Sequence, residues 1–475
     1  MTLGRTRTSK IREITCLFVI RNCNRNRDIK EFDNAVNRES EIGRNFFSRK
    51  ASAQRGAEAI EILSQLNENV VTNFIAENPI ELIGNDKFSV FDEFNLIIVA
   101  DQMPEKSLEK LESYSRQRNI PLILCRSYGL VGYTQISLSK HCVLNSRQEN
   151  KYFDLCLNKP FEELCNYCDS IDMESMSSLE YSHIPFVVIL LKVLNEFKKI
   201  HGRHPETSQD KDSFKKMIKK KQKTGDEENF NEALHFAHKV WSKFDMKELN
   251  GLFEKSRNVP REDLTPFWIL VKALKVFYDE NSRLPLNGAL PDMHSDTESY
   301  IMLQGIYKNK SNNDKNNFKD ILKRQMQINN LSDNFISEEE IEDFFKNCHQ
   351  IKVLNFPLLA DESNRWEFTS DIDLNLYYSL KLADKFKETF GKYPSQQNAE
   401  SFQSFVKSTC GFEINQDAIN EIIRYQGCQL HNIASFIGGV ASQEIIKLLT
   451  NQYVPASGII FFNGTNNSHI STLKI

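Results

Sequence analysis

Residues 431–463 read HNIASFIGGVASQEIIKLLTNQYVPASGIIFFN, an apolar helix followed at once by an apolar strand. Ala434, Ile437, Ala441, Ile445 and Leu448 recur at helical spacing, and Ile446 and Leu449 widen the stripe. After Pro455 and Gly458, Ile459-Ile460-Phe461-Phe462 forms a short run with no polar face, closed by Asn463-Gly464. One helix and one or two strands cannot bury such faces alone. They must complete a sheet begun elsewhere, and the comparable strand-forming region lies far upstream. The constraint is topological: one α/β domain, split by a long insertion and closed by its last segment. The adjacent Gly438 and Gly439 cost helix stability, so close approach of another backbone is expected there.

The upstream half of that sheet is legible as alternation. Ile14–Ile20 reads as a buried strand, and Asn22–Arg49 is polar and basic with no clear pattern. Ala51–Leu66 reads as a helix with Ala53, Ala57, Ile60 and Leu63 on one face, and Val70–Ala76 as a strand. Asn95–Ala100 is an apolar strand, covered on both faces. Leu108–Arg118 is helical and Pro121–Cys125 the next strand, while Thr134–Leu138 alternates as an edge strand does. This order indicates a doubly wound sheet. From about Phe161 to Tyr425 the patterns are almost all helical. The expected division is 1–165 for the first part of the α/β domain, 166–425 for an all-helical insertion, and 426–475 for the return.

Three helices in this region end alike. From Lys192, Lys272 and Lys381, the same offsets reach Phe197, Phe277 and Phe386, then Gly202, Ser282 and Gly391, then Pro205, Pro285 and Pro394. The spacing is a helix stop: a left-handed cap, a cation (Arg203, Arg283, Lys392) at the negative helix end, and a Pro that cannot continue. Intervals of 80 and 109 residues (192 to 272, 272 to 381) do not make a solenoid, which needs a fixed period.

Charged residues are 26% and the net charge is −4, which gives no electrostatic case for nucleic acid. The ten Cys are scattered along a large chain, so they read as reduced thiols in an intracellular compartment. The basic start (Arg5, Arg7, Lys10, Arg12) reads as a frayed end before a strand, with a transit peptide as the alternative. Neither G-x-G-x-x-G nor a Walker loop occurs. Cys165-x-x-Cys168 has no second pair to make a zinc site, so these and Cys156 read as core or surface thiols. His235 and His238 share a helix face without a third ligand. An oxidoreductase is disfavoured by the missing glycine loop. A nucleotide-type sheet without a nucleotide loop, bearing a helical insertion, suggests a non-catalytic partner subunit.

Several stretches carry a resemblance. Cys125-Arg126-Ser127-Tyr128-Gly129-Leu130-Val131-Gly132-Tyr133 is the most specific. Leu157–Leu164, Asp226–Phe230, Leu290-Pro291-Asp292-Met293, Asn45-Phe46-Phe47 and HNIASFIGGVASQEIIK support it. Together they resemble the regulatory, amyloid-precursor-binding-protein-type subunit of the neddylation activating enzyme, over about residue 41 to the end. The resemblance implies a ThiF/adenylation-type fold, Rossmann-like, that has lost its own ATP site and binds no cofactor itself. It implies a heterodimer with a catalytic subunit holding ATP, magnesium and the thioester-forming cysteine. That pair would adenylate a ubiquitin-like modifier and pass it, through a conjugating enzyme, to cullins, in the cytoplasm with the nucleus as a second compartment. The insertion would be a catalytic-cysteine half-domain without the cysteine. The segment Asp292, Met293, Tyr300, Ile301, Met302, Leu303, Gln304 resembles the contact with the catalytic subunit; its alternative reading is an ordinary helix start at Pro291 and Asp292. Residues 1–40 do not carry the family's opening Tyr-Asp-Arg-Gln motif, so a unit of the sheet is expected to be missing and Arg5, Arg7 and Arg12 receive no role. The remaining alternatives are a regulatory subunit for another ubiquitin-like modifier and a truncated helical scaffold.

Overall fold

The computed structural model describes residues 17–23, 26–37, 39, 42, 47–66, 69–100, 102–144, 154–225, 227–359 and 366–474. The basic start, Asn45-Phe46 and Asp226 lie outside them. The chain forms two compact units. One combines residues 1–141 with 353–475; the other is residues 142–352.

The first unit opens with β1 (Leu17–Cys23) and β2 (Asn26–Phe32), an antiparallel hairpin. Helix α1 (Arg55–Leu66) then leads to β3 (Val71–Ile75), parallel to β2. The short α2 (Pro79–Gly84), β4 (Leu96–Val99), α3 (Glu105–Gln117) and β5 (Leu122–Tyr128) follow, with β4 and β5 parallel. β6 (Val131–Ser137) returns antiparallel to β5, and β7 (His141–Val143) leads out. The unit resumes within β8 (Lys352–Leu354), the strand with which β7 pairs.

The helical unit contains α4 (Glu162–Ser170), α5 (Ser178–Ser182), α6 (Phe186–His201), α7 (Ser208–Lys221), α8 (Glu228–Phe236), α9 (Lys247–Arg257), α10 (Pro266–Asn281), α11 (Thr297–Ile328) and α12 (Glu338–Asn347). Its core is a continuous apolar cluster centred on α6, which buries nine residues from Phe186 to Phe197. Back in the sheet unit come α13 (Ile372–Phe390), α14 (Ala399–Cys410), α15 (Gln416–Tyr425), α16 (His431–Thr450), β9 (Ile459–Asn463) and β10 (His469–Leu473).

The eight-stranded sheet has the order β10-β9-β6-β5-β4-β1-β2-β3. The return segment does close it: β9 pairs antiparallel with β6, register Thr134 to Ile460. Helices lie on both faces. Helices α2, α3, α13, α14 and α15 share a core with Val99, Leu122 and Leu124, whereas α16 packs its Ile433, Ile437 and Leu448 toward Ile123, Ile136 and Phe462. Each such large apolar side chain, once buried, contributes roughly 1.5–3 kcal/mol.

Several expectations are corrected. The sheet is mixed, because β1 runs antiparallel to both its neighbours, so the uniform alternation expected of a doubly wound sheet is not what is found. The patternless stretch after Asn22 contains β2, which fills the place between β1 and β3. β6 is central and wholly buried, not an edge; its polar Thr134, Gln135 and Ser137 are interior. Helix α1 starts at Arg55 and buries Gly56, Ile60 and Ile62. The helical unit ends at Lys352 rather than Tyr425, since α13–α15 pack on the sheet. Among the described residues, nothing lies within 4 Å of a Cβ built on Gly438 or Gly439. The close approach occurs one layer below: a Cβ on Gly132 would lie 2.7 Å from both Ile437 Cγ1 and the Arg126 carbonyl.

The three helix stops are as read. Gly202, Ser282 and Gly391 cap α6, α10 and α13 with φ of +67°, +54° and +70°. Ser282 alone carries a side chain there, in a conformation that glycine adopts freely. Ser282→Gly is therefore expected to raise stability by about 0.5–1 kcal/mol. Thermal unfolding checks this; an unchanged or lower midpoint contradicts it.

Candidate partner-binding site

Helix α11 begins where Asp296 caps it, its carboxylate accepting from the Ser299 amide at 2.8 Å. The Leu290–Met293 segment is thus a turn before the helix, not its start. The turn is tied down. Asp292 accepts from the Met293 amide (3.1 Å), the His294 amide donates to Glu232 (2.9 Å), and the Asp296 amide donates to the His183 carbonyl (3.3 Å). His183 and His294 stack with ring centroids 5.1 Å apart.

The predicted contact residues divide by position. Met293 and Leu303 are core, inside the same cluster as α6. Asp292 is exposed, and Tyr300 and Gln304 are half-buried. Ile301 and Met302 are 60% and 53% exposed. The period explains the split. Leu303, Tyr307, Ser311 and Phe318 form the inward stripe of α11, and Ile301, Met302 and Ile306 form a second apolar stripe beside it.

Two shallow depressions share Met302. One, of about 510 Å³, runs along Ile301, Gly305 and Ile306. The other, of about 660 Å³, is lined by Tyr167, Ile171, Met176, Leu179 and Pro185. Leu179, on α5, is 72% exposed. These residues were missed in the sequence. The signal was present as Met173, Met176 and Leu179 close together where one short helix has no core of its own to fill. A contiguous apolar surface of this kind marks a protein contact more often than bare solvent.

The sheet unit supplies the second observation. In open α/β sheets ligands bind beyond the carboxyl ends of the parallel strands. Beyond β4 and β5 that space holds protein. Arg126, 2% exposed, donates to both carboxylate oxygens of Asp384 on α13 (2.9 and 3.3 Å), to the Tyr393 hydroxyl (2.8 Å) and to the Ser127 carbonyl (3.0 Å). Gln102, just past β4, accepts from Lys387 (2.7 Å) and Tyr393 (3.0 Å) and donates to the Asp384 carbonyl (3.2 Å). Lys381 sits 5.9 Å from the Tyr133 ring centre. Only about 60 Å³ of open space is left among these groups.

A related cluster pins the last hairpin. Asp373, at the start of α13, accepts from Asn463 (2.7 Å), His469 (2.8 Å) and Ser471 (2.7 Å). Burial works to raise the Asp373 carboxyl, but these donors outweigh it and hold it below the usual range. The hydrogen bond to Asp373 in turn raises His469. The sign follows. His469 stabilises fully below about pH 6.5 and loses that contribution as pH rises through its raised value; Asp373 loses its own as pH falls below about 4. The stability gap between wild type and His469→Gln is expected to be larger at pH 5.5 than at pH 9. Equal gaps in melts at the two values would refute it.

Among the described residues, no group of His, Cys, Asp and Glu is placed to hold a metal. Cys168 and Cys156 are buried packing thiols.

A mixed α/β sheet whose crevice beyond β4 and β5 holds its own side chains, joined to a helical unit with an exposed apolar face, fits the class of proteins that act through contact with another protein. The comparisons give that class its particulars. A scan against protein-family models finds no match. The chain is 33% identical over 455 residues to the NEDD8-activating enzyme E1 regulatory subunit AXL of Arabidopsis thaliana, covering 90% of this chain and 87% of that one. It is 32% identical over 460 residues to the NEDD8-activating enzyme E1 regulatory subunit of Xenopus laevis (89% and 85%). It is 28% identical over 404 residues to that of Saccharomyces cerevisiae (80% and 78%). The chain belongs to the family of NEDD8-activating enzyme E1 regulatory subunits.

Proposed function

We propose that this chain is the non-catalytic, regulatory subunit of a two-subunit activating enzyme and acts in the first step of neddylation. The observation that carries this is the pairing of a filled crevice with the apolar α11 face. A chain that holds its own crevice shut with Arg126 and Asp384 has to contribute through contact. In this reading the sheet derives from a doubly wound adenylation fold. The catalytic subunit holds ATP and magnesium and forms the thioester; this chain binds neither. Ile301, Met302 and Leu179 face that subunit, with Asp292, Tyr300 and Gln304 around them, while Met293 and Leu303 support the surface from beneath. The complex acts on a ubiquitin-like modifier and hands it to a conjugating enzyme, in the cytoplasm and the nucleus.

The test is co-expression with the catalytic subunit of the same organism, then size-exclusion chromatography and an ATP-dependent thioester assay with the modifier. A one-to-one complex that forms thioester is expected. A complex without thioester would show that the atypical first forty residues leave the subunit unable to support adenylation. Absence of a complex would overturn the reading.

A further inference from the structure

The helical unit carries a second surface of different chemistry. A cleft of about 1180 Å³ is lined mainly by residues 154–159, 204–206, 236, 238–249, 282–284 and 349–352. Its walls are preformed. Phe214 lies edge-on to Trp241 at 5.7 Å, Phe244 edge-on to His349 at 5.4 Å, and Asn158 donates to the Ser242 carbonyl at 3.3 Å. Trp241 and Phe244 remain half-exposed into the cleft.

The charges in the cleft do not balance. Lys352 is paired with Glu248 at 3.1 Å, and Arg283 is gripped by Asp314 at 2.6 and 2.7 Å. Asp154 lies 3.7 Å from His349, Glu206 lies 3.9 Å from Arg203, and Asp245 accepts from the Lys247 amide at 3.0 Å. Among the described residues, the exposed ammonium groups of Lys159, Lys243 and Lys247 have no carboxylate within 4 Å, and Lys159 donates instead to the Asn281 carbonyl at 3.4 Å. Residues 246–249, the start of α9, also line the cleft, which adds the positive end of that helix.

We propose that this cleft receives an acidic segment of a partner protein that carries an apolar or aromatic anchor. The lysines steer and hold the carboxylates. Trp241 and Phe244 take the anchor, as aromatic side chains in binding pockets do. The chain's own basic start (Arg5, Arg7, Lys10, Arg12) has the wrong sign to fill it. The cleft shares no lining residue with the two depressions at α11, and the proposal holds whichever subunit that face binds.

The test uses the full chain and fluorescence anisotropy. The probe is a short fluorescein-labelled peptide of Asp and Glu with a central Leu-Phe pair. Binding is expected, weakening with salt. Lys243→Glu with Lys247→Glu should weaken it by about tenfold or more, with the melting curve unchanged, because both side chains are exposed. Replacing the Leu-Phe pair by Gly-Gly should weaken it on the unaltered protein. No binding to wild type, equal affinity in the double variant, or tighter binding of oligothymidylate than of the peptide would each overturn the proposal.

Discussion

Arg126→Ala is expected to destabilise the sheet unit by about 3–5 kcal/mol, among the larger effects available to a single substitution. Arg126 is almost fully buried and spends its donors on Asp384, Tyr393 and the Ser127 carbonyl. Truncating it leaves the Asp384 carboxylate in a site built around a guanidinium. The cost is that of an uncompensated charge and not the net worth of the pair, which can be small. Asp384→Ala should be comparably harmful, and the double variant clearly milder than the sum of the two. Because the chain has two compact units, the readout has to be local. Hydrogen exchange at the β5 and β6 amides, followed through urea, reports the sheet unit itself. Arg126→Ala within about 1 kcal/mol of wild type, or strict additivity in the cycle, would sink the idea.

That prediction concerns a motif the sequence displayed without explaining. Cys125 to Tyr133 stood out as a resemblance, yet no periodicity says why those residues occur together. The structure gives the reason. Arg126 holds α13 and Tyr393 over the strand ends. Gly129, at φ +52°, turns beneath Tyr425, whose ring atoms would lie 2.2 Å from a Cβ. Gly132 admits Ile437. The same contact explains the misplaced expectation at Gly438 and Gly439. Small residues signal close approach, but a single chain does not say which partner of a contact has given way. Apolar runs such as β4, β5 and β9 were legible because burial on both faces leaves no other composition. β2 was not, since Asp28, Lys30 and Glu31 give it neither an apolar run nor a clean alternation. The unit boundary was missed for a related reason. Helices α13–α15 carry the same amphipathic pattern as those of the helical unit, and the pattern reports a buried face, not what it is buried against. At α11 the resemblance named a stretch but could not separate Leu303, which is core, from Ile301 and Met302, which are exposed.

That separation yields the second large effect. Ile301→Asp with Met302→Asp is expected to weaken the complex with the catalytic subunit by about 2–4 kcal/mol, roughly 30- to 700-fold in Kd. Both side chains are more than half exposed in the free chain, so the variant should fold and melt as wild type does. A carboxylate at either position would have to lose its water in the interface without a partner there to replace it. Leu303→Asp must behave oppositely. It places a charge in the core of the helical unit and should lower stability before it affects binding. Ile328→Asp is the informative control. It lies on the same helix, is 71% exposed, and is 27 residues from Ile301 (301 to 328), or about 40 Å along the axis. Equal losses at both ends of α11 would mean that general charge, not a defined contact, is responsible. The thioester assay separates affinity from chemistry. With the Ile301/Met302 variant, thioester formation by the catalytic subunit should fall at low subunit concentration and recover as that concentration is raised through the weakened Kd. A defect that persists at saturation would place these residues in the reaction itself, which two aliphatic side chains without a proton to give or take have no means of performing.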